Sequence, residues 1–161
     1  ISWTICLFGA ELTYAGQNIR SFSFDQDTRN ISRRYRDFIS ILIMSLIAKR
    51  FEKNEPPYTA EDISEECQIP IRLTNQTLYE LQEINLLHEV VTDAKSQDIA
   101  YQPSMDISKL NVALLLDKLD THGSEDFKID KDKEFHGQWE TLMKAREEYY
   151  KSASQVLLKD L

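Results

Sequence analysis

The chain has 161 residues, 42% of them apolar, and a formal net charge of −8. The length fits one domain with appendages, and the apolar fraction excludes global disorder. Four glycines and four prolines favour a mainly helical protein, and two distant cysteines exclude a disulfide framework and a cysteine-based zinc site.

The chain opens with ten uncharged residues, ISWTICLFGA. As a helix this segment would be about 15 Å long, roughly half of a membrane's hydrocarbon core. It is either a core helix that begins the domain or the cytoplasmic end of a transmembrane helix that starts upstream. Arginines soon follow, and they favour the second interpretation because basic residues mark the cytoplasmic side of a membrane helix. These arginines are Arg20, Arg29, Arg33, Arg34 and Arg36.

A long helix is predicted from an N-cap at Ser32 to about Lys53, because apolar residues recur there at helical spacing. The segment 54–57 (NEPP) ends it, since proline cannot continue the helix.

Residues 59–103 predict the element order of a winged helix-turn-helix, with an unrelated α+β domain as the alternative. Thr59 and Asp62 have the spacing of a capping box. The predicted elements are a helix from Thr59 with Ile63 and Cys67 facing the core, a turn at 68–70, a helix from Ile71 to Ile84, and strands at 86–92 and 98–103.

The C-terminal part predicts two more helices. Asp106 or Ser108 caps the first, which ends at His122-Gly123. A charged linker at 124–134 precedes an amphipathic helix from Phe135 to about Lys159. This helix either packs in its own core or joins two copies of the chain. The residues expected at a dimer contact are Trp139, Met143, Tyr149 and Tyr150.

In a winged helix, the helix at 71–84 would enter the major groove of DNA. Arg72, Asn75, Gln76 and Tyr79 are expected to contact a nucleic acid or a partner, and Thr74, Glu80 and Glu83 are also expected to face outward. However, residues 59–103 carry a net charge of −7, which opposes phosphate binding. A basic protein partner suits this surface better than DNA does.

No catalytic, cofactor-binding or metal-binding residues are predicted. His88, His122 and His136 lack the spacing of a metal pair, and Cys67 fits a core position. The acidic residues of the linker alternate with lysines, which favours a solvated segment over a calcium loop.

The segment ISWTICLFGAELTYAGQN resembles the closing transmembrane helix of the YihY/BrkB family, whose members often carry the label ribonuclease BN. Gly9 and Glu11 match as packing and membrane-end positions. The resemblance implies a multi-pass inner-membrane protein, with this chain as its cytosolic tail. The label implies tRNA processing, for which the sequence offers no catalytic cluster.

Residues 59–123 also resemble the winged-helix core of bacterial iron–sulfur transcription regulators, through YTAEDISEECQIPIRLTNQTLYELQEINLLHEV. That family binds its cluster through cysteines just after the wing. Residues 104–134 contain no cysteine, so only the fold is implied.

The sequence therefore predicts a mainly α protein with a small β-hairpin. Its winged-helix-like domain lies between an N-terminal membrane-helix remnant and a long C-terminal helix. The expected function is a non-catalytic interaction or regulatory domain at the cytoplasmic face of the inner membrane, with the membrane and a protein partner or second copy as contacts. A DNA-binding regulator is the alternative, and a ribonuclease is the third. The predicted domains are 1–30, 31–123, 124–134 and 135–161.

Overall fold

The computed structural model describes residues 30–126 and 133–161, which form helices and one antiparallel hairpin. This confirms the predicted fold class. The chain divides into two compact units, residues 1–36 and 37–161, and the winged-helix elements all lie in the second unit. The elements are α1 (Arg33–Glu52), α2 (Ala60–Cys67), α3 (Ile71–Glu83), β1 (Leu87–Val91), β2 (Ile99–Pro103), α4 (Val112–Thr121), α5 (His136–Ala153) and a 3₁₀ turn (Leu158–Asp160).

Helix α1 begins as predicted, because the Ser32 hydroxyl accepts a hydrogen bond from the Tyr35 N–H at 3.2 Å. Its side chains Ile43 and Met44 are fully buried. Within the two described ranges, no helix combines the length and apolarity needed to cross a bilayer. The opening segment that suggested a membrane helix lies outside the described residues.

The turn between α2 and α3 is the tight connection that the sequence predicts. Thr59 and Asp62 form a reciprocal capping box, with hydrogen bonds of 3.2 and 2.9 Å. Gln68 ends α2 in the left-handed region at φ 54°, and the Ser64 hydroxyl donates to the Ile69 carbonyl at 2.6 Å. These contacts hold α3 at a set position relative to α2.

The hairpin forms the wing, with Leu87 opposite Pro103 and Val91 opposite Ile99. Its strand β2 is also joined to the start of α2, because the Tyr101 N–H donates to the Tyr58 carbonyl at 3.0 Å. The wing is therefore fixed directly to the helix-turn-helix.

Helix α4 starts later than predicted. Asp106 accepts hydrogen bonds from the backbone and hydroxyl of Ser108 and so closes a turn before the helix begins. These bonds hold the pKa of the Asp106 carboxyl below its usual value, since they stabilise its charged form. The N-cap is Asn111, whose side chain accepts from the Leu114 N–H at 2.8 Å.

Helix α5 ends at Ala153, and the chain then returns to the core instead of continuing as a helix to Lys159. The Leu158 N–H donates to the Leu110 carbonyl at 3.1 Å, and the Leu158 side chain is fully buried. Lys159 completes the return with an ion pair to Glu52 at 2.6 Å. The C-terminal segment is thus part of the core.

We expect Leu158→Ala to lower the free energy of unfolding by about 2–5 kcal/mol, because it leaves a cavity in a fully buried site. Urea unfolding followed by circular dichroism measures this change. Leu161→Ala, at a side chain that is 51% exposed, is the matched control and should change stability by less than about 0.5 kcal/mol. Equal losses in the two variants would show that the C-terminal return does not contribute to the core.

Candidate nucleic-acid interface

Helix α3 has a buried side that includes two threonines. Leu73, Leu78 and Leu81 are buried, as the sequence predicts. Thr74 is also buried, so the expectation that it faces outward is wrong. Its hydroxyl loses contact with water on burial, but it donates a hydrogen bond to the Pro70 carbonyl at 3.2 Å instead. Thr77 likewise donates to the Leu73 carbonyl, at 2.9 Å.

The opposite side of α3 brings the four predicted contact residues together. Arg72, Asn75, Gln76 and Tyr79 are all exposed, and Tyr79 is 63% exposed. Their spacing of i, i+3, i+4 and i+7 places them on one helix face. The result is one stripe with a guanidinium, two amides and a phenol.

An open groove lies beside this stripe, between α3, the start of α2 and the wing loop. Asn75 borders it from α3, Asp62 from α2, and Gln97 and Asp98 from the wing. Lys95 is exposed in the same wing loop, where its N–H donates to the Asp93 carboxylate at 3.0 Å. The wing and α3 therefore present polar side chains to a common space.

The surroundings of the stripe are electronegative. Arg72 and Lys95 are the two basic residues of segment 59–103, against nine acidic ones. Burial raises the pKa of the Tyr101 hydroxyl, and the charges of Glu89 and Glu61 raise it further. The module, meaning residues 59–103, therefore offers few basic side chains to a DNA phosphate.

The cysteines do not fit an iron–sulfur cluster. The chain has Cys6 and Cys67 only, whereas such clusters need several thiolate ligands. Cys67 is partly buried rather than a full core residue, and burial together with the charge of Glu66 raises the pKa of its thiol.

Within residues 30–126 and 133–161, no group of three metal-ligating side chains occurs. His88, His122 and His136 are exposed.

Helix α5 offers a second surface. Phe135, Leu142 and Tyr149 are 42%, 46% and 52% exposed, and they follow one another at seven-residue intervals just before and along α5. This spacing places them on one seam of a helix. Met143, which the sequence predicted for a dimer contact, is also exposed.

Two of the residues predicted for the dimer contact are turned toward their own chain. Trp139 and Tyr150 are half-buried. The Tyr150 hydroxyl and the Arg146 guanidinium both donate to the Asp120 carboxylate of α4. The sequence carries no signal for this cluster, because its members lie 26 and 30 residues apart. This cluster holds α5 against α4, while the seam of Phe135, Leu142 and Tyr149 stays exposed.

The chain matches no family model and no curated protein. It does resemble solved structures at 15–16% identity. CymR of Staphylococcus aureus has a TM-score of 0.54, with 78% of this chain and 93% of that chain covered. CymR of B. subtilis, the global cysteine regulator, has a TM-score of 0.55 with coverages of 81% and 94%. IscR of T. potens has a TM-score of 0.55 with coverages of 83% and 87%.

These likenesses share the winged-helix fold, and they contradict the assignment to the YihY/BrkB family. The B. subtilis structure, which covers 81% of this chain, is a global cysteine regulator and not a part of a membrane protein. The expected role as an interaction domain of an inner-membrane protein is therefore wrong, as are the expected membrane contact, the location at the membrane face and the ribonuclease label.

We expect the Cys67 thiol to react with iodoacetamide more slowly than an ordinary thiol at pH 8, because its raised pKa leaves less thiolate. Glu66→Gln should speed the reaction by removing the neighbouring negative charge. Mass spectrometry of the Cys67 peptide over time measures the rate, with Glu61→Gln as the control. A Glu66→Gln rate equal to that of the unmodified chain would refute this electrostatic effect.

Proposed function

We propose that this chain is a winged-helix transcription regulator that binds duplex DNA through α3. The exposed stripe of Arg72, Asn75, Gln76 and Tyr79 carries the proposal, because it occupies the outer face of the second helix of a helix-turn-helix. The likeness to B. subtilis CymR, a global cysteine regulator, supports it. From the sequence, a DNA-binding regulator was the alternative to an interaction domain of a membrane protein, and it is now the main proposal.

Each member of the stripe suits a base edge in the major groove. The Arg72 guanidinium fits the two acceptors of guanine, while the amides of Asn75 and Gln76 can both donate and accept. Tyr79 offers an apolar ring for a thymine methyl group. Lys95, in the wing loop, would contact the phosphate backbone and set the orientation of the protein on the duplex without reading sequence.

The negative charge of the module shapes how it binds. Phosphate attraction provides most of the affinity for non-specific DNA, so a segment with a net charge of −7 holds such DNA weakly. Binding then depends on base contacts by the stripe. The acidic surroundings lower the affinity for every sequence alike, so only the base contacts distinguish one duplex from another.

A second copy of the chain is the proposed partner at α5. The seam of Phe135, Leu142 and Tyr149 is exposed, and a helix seam of this spacing packs well against its own copy. Met143 and the outer edges of Trp139 and Tyr150 would flank this contact. Two linked modules would read two half-sites, which compensates for the weak binding of one acidic module.

We expect Arg72→Ala and Lys95→Ala to weaken DNA binding in different ways. The DNA is a duplex that the unmodified chain selects from a random pool, with a scrambled duplex for comparison. Arg72→Ala should cost about 1–3 kcal/mol on the selected duplex alone, because it removes a base contact. Lys95→Ala should weaken both duplexes and reduce the slope of log affinity against log salt by about 1.

Fluorescence anisotropy titrations at several salt concentrations measure both effects. Lys144→Ala, an exposed lysine on α5, is the matched control and should leave the salt slope unchanged. If the chain selects no sequence from the pool, the proposed function is wrong.

We expect Leu142→Glu and Tyr149→Glu to convert a dimer into a monomer, because each places a charge in the seam. Sedimentation velocity measures the mass. Thr141→Glu adds the same charge to an exposed position on another face of α5 and should leave the mass unchanged. Removing the whole C-terminal segment would not test the seam, since Leu158 belongs to the core and its loss would also disturb the fold. A dimer that survives both seam variants would contradict this interface.

A further inference from the structure

Within the stripe of α3, Gln76 is held by a neighbour. Its amide nitrogen Nε2 lies 3.4 Å from Oε1 of Glu80, one helical turn further on, and donates a hydrogen bond to it. Gln76 is exposed, whereas Glu80 is half-buried. The less mobile carboxylate therefore restrains the more exposed amide.

This contact determines which end of the amide faces a ligand. An ionised carboxylate can only accept hydrogen bonds, so the amide nitrogen turns toward it. The amide oxygen Oε1 of Gln76 is then directed away from Glu80. The amide keeps a second N–H, but with its nitrogen turned toward Glu80 the oxygen is the end that is directed at a ligand.

An acceptor divides the four bases into two classes at the major-groove edge. Adenine and cytosine present an exocyclic amino group, N6 or N4, which donates to an acceptor. Guanine and thymine present a carbonyl oxygen, O6 or O4, at the corresponding position, and two acceptors repel each other. Gln76 held by Glu80 therefore selects an amino base over a keto base on the strand that it contacts.

We propose that Glu80 is a positioning residue that fixes Gln76 as an acceptor, so that the base facing Gln76 is adenine or cytosine. This inference rests on the proposed function, since it concerns the DNA that α3 reads. It adds the class of base and assigns a role to Glu80, whose charge alone would only oppose DNA.

Selection from a random duplex pool tests the proposal, with the full-length chain and each variant selected in parallel. The position read by Gln76 is the one whose base preference disappears in Gln76→Ala. In the unmodified chain this position should be adenine or cytosine, preferred over guanine and thymine by about tenfold, the usual size of one good base contact.

Three variants separate positioning from charge. Glu80→Ala should release the amide and reduce this preference to within about twofold, because the free nitrogen can donate to a keto base. Glu80→Gln keeps the shape of the side chain but can donate as well as accept, so it should also weaken the preference. Glu83→Ala removes the same charge from the same helix, away from Gln76, and should retain the preference. Circular dichroism confirms that each variant is folded.

The outcomes distinguish the two proposals. If the unmodified chain enriches no sequence, the proposed function itself fails. If it enriches a sequence with guanine or thymine at the Gln76 position, the role of Glu80 is overturned while DNA binding stands. An unchanged preference in Glu80→Ala, or an equal loss in Glu80→Ala and Glu83→Ala, overturns that role as well.

Discussion

The burial of one side of α3 against α2 and β1 decides which side chains of this protein can meet a ligand. Leu78 and Leu81 are almost fully excluded from water, and burying a leucine side chain contributes about 1.5–3 kcal/mol. A rotation of α3 about its axis would expose these side chains. The packing therefore locks the opposite stripe, from Arg72 to Tyr79, on the outside, and the fixed turn at Gln68 sets where the stripe lies relative to the wing.

The electrostatics of the module and the shape of α5 support one mode of action. A module with nine acidic and two basic residues between 59 and 103 would gain little from phosphates, so DNA binding of the proposed kind would depend on base contacts. Two modules joined through α5 would gain affinity from simultaneous binding at two half-sites. The cluster around Asp120 would suit such a dimer, because it holds α5 on α4 with the apolar seam facing outward.

Local signals predicted much of the fold, and long-range contacts account for most of the differences. Caps at Ser32 and Thr59 act within three residues, so the sequence shows them directly. The start of α4 was misplaced because Asp106 and Asn111 are both good capping residues, and only the turn closed by Ser108 separates them.

The end of α5 was extended too far because the apolar residues after Ala153 continue the helical pattern, although Leu158 pairs with Leu110 in the core. The spacing predicted the exposure of Arg72, Asn75, Gln76 and Tyr79, but it placed Thr74 wrongly because only the structure shows its hydroxyl donating to the Pro70 carbonyl. A protein partner was expected there in place of DNA because residues 59–103 carry a net charge of −7, whereas the fold resembles that of a global cysteine regulator.

Dimethyl sulfate interference on a selected duplex tests most directly whether α3 reads the major groove. The reagent methylates guanine N7 in the major groove and adenine N3 in the minor groove, and each modification blocks a protein that contacts that edge. If α3 reads the major groove, methylated guanines within the site prevent binding, and this effect disappears in Arg72→Ala. Interference confined to adenine N3, or no interference at any guanine, would contradict it.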